Sequence, residues 1–174
     1  VWSGDAMPVS VPTAAQTITL AVGNETGLQI DIPQGVMAGY IAEQINDLRA
    51  DLGVEAQAKT RVLMSDVPNG VISFTLTSEN SSPISFVGSV NNSDLRNLAV
   101  LVNAKASETG VTASVSSDFT QLVLTNAAGS DIVFGDVTTP GDGIDLMPVG
   151  SIGQPRTASS VTLGATNSST KFAR

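Results

Sequence analysis

Asp136, Asp142 and Asp145 crowd a short stretch punctuated by Gly141 and Gly143, so any chemistry in this chain would be sought there first. Two carboxylates flanking a glycosidic bond can share acid, base and nucleophile roles. Oxygen ligands gathered in a loop suit calcium better. Neither pattern is met. The Asp-Gly-Ile-Asp run at 142–145 matches no calcium-loop spacing, and acidic residues in Gly-rich segments ordinarily form turns. Serines and lysines exist for a Ser–Lys dyad, but no nucleophile elbow frames them. The chain has no histidine and no cysteine. That removes the usual general base near neutral pH, thiol nucleophiles and ordinary structural zinc. The expectation is a protein that is not an enzyme, with no catalytic residue, no cofactor and no metal site. Asn24-Glu25-Thr26, Asn80-Ser81-Ser82, Asn91-Asn92-Ser93 and Asn167-Ser168-Ser169 fit the N-glycosylation triplet, which arises by chance in a chain this rich in Asn, Ser and Thr.

Composition narrows the classes further. The 174 residues suffice for one domain or two small ones, and 41% hydrophobic residues argue for a packed core. With only 4% aromatics that core is mainly aliphatic. The net charge of −8, with eight basic residues scattered singly, speaks against nucleic acid and against an anionic membrane surface. No apolar run approaches the roughly 18 residues of a membrane span. Without cysteine no disulfide marks the compartment, and an extracellular location is allowed if the core is large enough. The chain begins Val1-Trp2-Ser3 with neither an initiator Met nor a signal-like segment, which suggests a piece of a longer protein.

The elements that would position any site read as follows. Residues 1–15 are an irregular lead-in broken by Gly4, Pro8 and Pro12. Alternation at Thr17–Val22 and at Leu28–Ile32 predicts a hairpin with one buried face. Ile41, Ile45, Leu48 and Leu52 form a helical stripe, and Gly53 sits where a left-handed cap is expected. Strands are predicted from Val54, over Val71–Ser78 and over Ile84–Val90. A second helix follows, with Ser93 as N-cap, Asp94 near its positive end, and a stripe of Leu95, Leu98, Val102 and Ala106 closed by Gly110. Strands at 111–117, 121–126 and 132–135 come next. Residues 138–155 read as loop, Val161 and Leu163 as a last strand returning beside the first, and 165–174 as a frayed exit.

This order contains a duplication. Ile41-Ala42, Ile45-Asn46 and Gly53-Val54-Glu55-Ala56 recur as Leu98-Ala99, Val102-Asn103 and Gly110-Val111-Thr112-Ala113, a constant shift of 57 (98 − 41, 102 − 45, 110 − 53). Ser73–Thr77 then matches Gln121–Thr125, and Ile84 and Phe86 match Ile132 and Phe134, at a shift of 48 (132 − 84). The difference places about nine extra residues in a loop around Arg61–Gly70. The expected fold is α+β, two tandem modules at 16–90 and 91–137, each a helix packed on a mainly antiparallel sheet, with 138–174 as loop, return strand and exit. A repeated module points to architecture rather than to one active site. Asn46 and Asn103 can hydrogen-bond backbone near a helix end, and Gly110 can take a positive φ.

The block Leu98–Ala113 resembles the flagellin "hook IN" motif, a hydrophobic helix ending in Ile-Asn-Ala, a polar stretch, and Thr-Gly-Val-x-Ala entering a strand. Gln121–Thr125 and Gly129-Ser130-Asp131-Ile132 resemble its usual continuation, and Ile45-Asn46-Asp47 with Leu52-Gly53-Val54 give a looser first copy. The segments Val71–Leu76, Ile84–Phe86 and Asn92–Leu95 are also similar to central flagellin regions, so the likeness spans roughly residues 28–137. It implies an outward-facing variable domain of the bacterial flagellar filament, extracellular, whose partners are other flagellin subunits. Sugar on exposed Ser or Thr is a family-level option. The long terminal heptad helices of a whole flagellin are missing, which fits a fragment holding the outer domains alone. Two other readings stay open: a filament-cap or hook-associated protein, and a glycan-binding or adhesin module. One Trp and one Tyr leave few platforms for sugar stacking.

Overall fold

Alternating apolar residues dominate the chain, and in the computed structural model they build antiparallel strands on both sides of a shared core. The structure describes residues 7–8, 14–23, 26–78, 82–150, 160–164 and 170–173. In chain order the elements are β1 (Met7–Pro8), β2 (Gln16–Leu20), β3 (Leu28–Ile32), α1 (Ala38–Asp47), α2 (Arg49–Leu52), β4 (Thr60–Ser65), β5 (Gly70–Ser78) and β6 (Ile84–Val90). They continue as α3 (Arg96–Ala104), α4 (Ala106–Thr109), β7 (Val111–Val115), β8 (Leu122–Asn126), β9 (Ile132–Thr138), β10 (Ile144–Pro148), β11 (Val161–Leu163) and β12 (Thr170–Ala173).

One five-stranded sheet runs β1-β12-β9-β5-β6 and the other β11-β10-β4-β8-β7, while β2 and β3 form a separate hairpin. The pairings among these strands are antiparallel, as short connections require. The fold is therefore mixed α and β, mostly β, with short helices. Ile72, Phe74, Leu76, Phe134 and Phe172 of the first sheet and Val62, Met64, Leu124 and Leu146 of the second belong to one apolar cluster. Leu95, Leu98 and Val102 complete it, because α3 lies against β6 and β7, one edge strand from each sheet. Phe74 stacks on Phe86 at 5.2 Å between centroids, and Phe134 meets Phe172 edge-on at 6.2 Å. A chain poor in aromatics thus concentrates several of its rings in one sheet.

Several expectations fail for identifiable reasons. The stretch Arg61–Gly70 is not simply an insertion loop: β4 occupies Thr60–Ser65, buried almost throughout, between β10 and β8. Both faces of this central strand are covered, so its apolar run lacks the alternation that would mark it. Residues 138–155 are not all loop, since β10 places Ile144 and Leu146 in the core behind the turn-rich 139–143. The chain end is not frayed at 170–173, where β12 pairs with β1 and β9 and buries Phe172 completely. It is β12 that returns beside the first strand, whereas β11 pairs with β10. The lead-in holds strand β1. Val54–Ala58 alternates in burial but is not a paired strand, and the first paired strand after α2 begins at Thr60.

Strands from 60–90 and from 111–138 interleave in both large sheets, so the stretches 16–90 and 91–137 share a core. The first helix packs instead with the β2–β3 hairpin. Ile30, Ile32 and Leu52 are buried there, apart from the main cluster. This small unit abuts the turn after β8 so closely that a Cβ on Gly129 would collide with Ala58. Its helix is poorly covered: no residue of α1 is fully buried, whereas Leu98 and Val102 in α3 are 2% and 0% exposed. Ile45 and Val102 occupy equivalent places in the repeat, yet their truncation should differ. Val102→Ala is expected to lower global stability in chemical denaturation by about 2 kcal/mol, and Ile45→Ala by well under half of that.

Candidate functional surfaces

The residues singled out for chemistry do not converge. Asp136 and Asp142 are exposed, and Asp145 in β10 accepts a hydrogen bond from Thr162 Oγ1 of the neighbouring strand. Among the described residues no three His, Cys, Asp or Glu side chains are grouped as metal ligands would be. Asp136 has a positive φ of 49° within β9, where the pairing with β5 shifts register between Ser73 and Thr75, a left-handed conformation that Asp tolerates. Of the glycosylation triplets, Asn91-Asn92-Ser93 lies among the described residues in an exposed turn, where Asn91 Oδ1 accepts the Ser93 N–H at 3.0 Å. Asn24, Asn80 and Asn167 fall outside the described residues.

An open depression of about 430 Å³ lies between the β4–β5 connection and residues 120–121, lined by Ser65, Asp66, Asn92, Thr120 and Gln121 with Val67, Pro68 and Met147. It brings in a single carboxylate. Ser65 Oγ is buried there without a hydrogen-bond partner, and Asn69 Oδ1 receives the Asn92 N–H at 2.7 Å nearby.

The feature that recurs is an asparagine clamp. Asn103, near the end of α3, accepts the Ala113 N–H at 2.8 Å and donates to the Ala113 carbonyl at 2.9 Å. Asn46, near the end of α1, treats Ala56 identically, at 2.8 and 3.0 Å. An amide side chain carries one acceptor and two donors, so it can replace one residue of a neighbouring strand. Each clamp sits over the same local path. The helix breaks after Asp47 or Ala104, resumes for four residues, and ends on a glycine in left-handed conformation, Gly53 at φ 65° and Gly110 at φ 69°. A side chain at either glycine would be strained, because that conformation crowds Cβ.

Around the second clamp the polar groups are further tied down. Thr109 Oγ1 donates to the Lys105 carbonyl at 3.0 Å and accepts the Val111 N–H at 3.2 Å. Buried Asn126 donates to Ser78 Oγ and accepts the N–H groups of Ala128 and Ser130, which shapes the turn into β9. Ser93 is not the N-cap of α3. The helix enters through Leu95, whose N–H reaches the Phe119 carbonyl, and Asp94 accepts the Arg96 N–H at 3.1 Å. The Arg96 guanidinium holds the half-buried Asp94 carboxyl down at about 2, and lies 4.6 Å over the Phe119 ring. The clamps are only partly legible in the sequence. Asn46 and Asn103 stand out by repetition, but their partners ten residues on do not.

No known family model and no curated protein sequence matches the chain. No helix among the described residues is long and apolar enough to cross a membrane.

Removing a clamp should be read differently in the two copies. Asn103→Ala strips partners from Ala113 between α3 and β7 and is expected to lower global stability by about 1–2 kcal/mol. Asn103→Asp should be no milder, since it sets an oxygen against the Ala113 carbonyl. Asn46→Ala should leave the global midpoint nearly unchanged and accelerate amide exchange only across residues 38–58.

Proposed function

We propose that this chain is a surface domain of a bacterial flagellin, a structural element of the extracellular filament and not an enzyme. In this reading the two repeats, whose strands interleave in both large sheets, are presented outward from a polymer core formed by segments beyond these residues. Its work is mechanical and interfacial. It coats the filament, contributes weak lateral contacts that the helical array repeats, and carries an acidic surface that keeps filaments apart until salt screens it.

The observation that carries the reading is the double clamp. The residues through which the chain resembles the hook IN motif, Asn103 with Gly110 and Asn46 with Gly53, hold the same path in both copies: helix, break, left-handed glycine and a clamped extended segment.

Immunogold microscopy with antibody raised against this chain tests the proposal on cells of the source bacterium. A flagellin domain predicts gold along the whole length of the filaments. Gold confined to filament tips would indicate the cap alternative, and gold on cell surfaces away from filaments would reject the flagellar reading in favour of an adhesin.

A further inference from the structure

The two copies of the clamped unit differ in what lies on the far side of the clamped segment. In the second copy, Asn103 and Thr109 satisfy Ala113 and Val111 along one edge of β7. Along the other edge β8 pairs with it, Thr112 opposite Thr125 and Ser114 opposite Val123. In the first copy, Asn46 holds Ala56 on the matching side. Among the described residues no strand takes the place of β8. Among the described residues, no main-chain hydrogen bond joins the backbone of residues 54–58 to another part of the chain. The segment that matches β8 by sequence, β5, is already flanked by β6 and β9.

Main-chain groups point to alternate sides along a strand, so the edge away from Asn46 carries the N–H and C=O of Glu55 and Gln57. Both side chains are exposed, and Val54, Ala56 and Ala58 between them are half-buried. The covering helix is correspondingly under-packed, with Ile41 and Ile45 only partly covered and Tyr40 38% exposed. An open strand edge of this kind is a template for another strand.

We propose that this edge is an interface between two copies of the chain, residues 54–58 of each pairing antiparallel about a two-fold axis through Ala56. The occupant follows from the segment's own pattern. Val54-Glu55-Ala56-Gln57-Ala58 has the same polarity read in either direction, as an isologous contact requires. Pairing about Ala56 sets Val54 beside the partner's Ala58 and Glu55 opposite the partner's Gln57, so no like charges face each other although each chain carries −8. Glu55 and Gln57 exchange about four main-chain hydrogen bonds across the axis. So small a contact is weak in dilute solution, with a dissociation constant of about a millimolar. It becomes effective where copies are already held side by side. The inference stands on the open edge and does not depend on the filament reading.

Sedimentation equilibrium and amide-resolved NMR on the 174-residue protein, from about 20 μM to about 1 mM, test it. The expected result is a weight-average mass that climbs above one chain, with concentration-dependent shifts centred on the Glu55 and Gln57 amides. Gln57→Lys places opposite charges across the axis and should tighten association roughly threefold at low salt. Gln57→Glu places like charges there and should weaken it by a similar factor. Both changes fall on an exposed side chain, so the fold is retained. A mass that stays at one chain throughout, or association that ignores the charge at position 57, overturns the proposal.

Discussion

A strand at the edge of a sheet carries unpaired N–H and C=O groups, and the clamped units of this chain answer that with a side chain in place of another strand. The amide of Asn103 supplies an acceptor and a donor to Ala113, closing one edge of β7 and tying it to α3. The arrangement has geometric conditions. The helix must stop shortly after the asparagine, and the chain must reverse tightly enough to bring back residue i+10. The broken helix and the left-handed Gly110 meet those conditions. Because α3 is anchored in this way, Leu98 and Val102 are held over the gap between the edge strands of the two sheets and close the core there.

The first copy shows how much of this is local. Asn46, the break at Leu48 and left-handed Gly53 reproduce the same path, and Ala56 receives the same two bonds. The surroundings are not reproduced. The helix meets a two-stranded hairpin instead of two large sheets, and its apolar stripe stays half-covered. A duplicated local motif therefore serves two environments, one deeply packed and one marginal. The strands after the motif diverge further. β5 and β6 form a hairpin within one sheet, whereas their sequence counterparts β8 and β9 lie in different sheets. The hydrogen bond from Asn126 to Ser78 links two positions that are themselves equivalent at the shift of 48, a trace of the duplication across the core.

Much of this could be read from residue patterns where a single face is buried. The alternation in Leu28–Ile32 and Ile84–Val90 marks β3 and β6 to their ends, and the stripes with Gly53 and Gly110 locate both helices. The signals failed where burial was two-sided or punctuation was dense. Val62-Leu63-Met64 is apolar on both faces because β4 is central, and aligning the repeats turned it into an insertion. Gly141, Gly143 and Pro148 disguised β10, and the polar neighbours of Phe172 disguised β12. Of the candidate sites, the repetition exposed Asn46 and Asn103. Their backbone partners depend on how tightly the chain turns, which residue types alone do not specify. The acids at 136, 142 and 145 looked grouped in sequence, and the strand between Ile144 and Pro148 gives Asp145 to Thr162 instead.

The central claim is that one side-chain clamp operates in both copies, independently of any sheet. Amide hydrogen exchange at Ala56 tests it most directly, since that N–H lies outside all paired strands and its acceptor is Asn46 Oδ1. At concentrations where the protein is monomeric, the account predicts an Ala56 amide protected at least tenfold over those of Glu55 and Gln57, with the protection lost in Asn46→Ala. An Ala56 amide that exchanges as fast as its two neighbours would contradict the account.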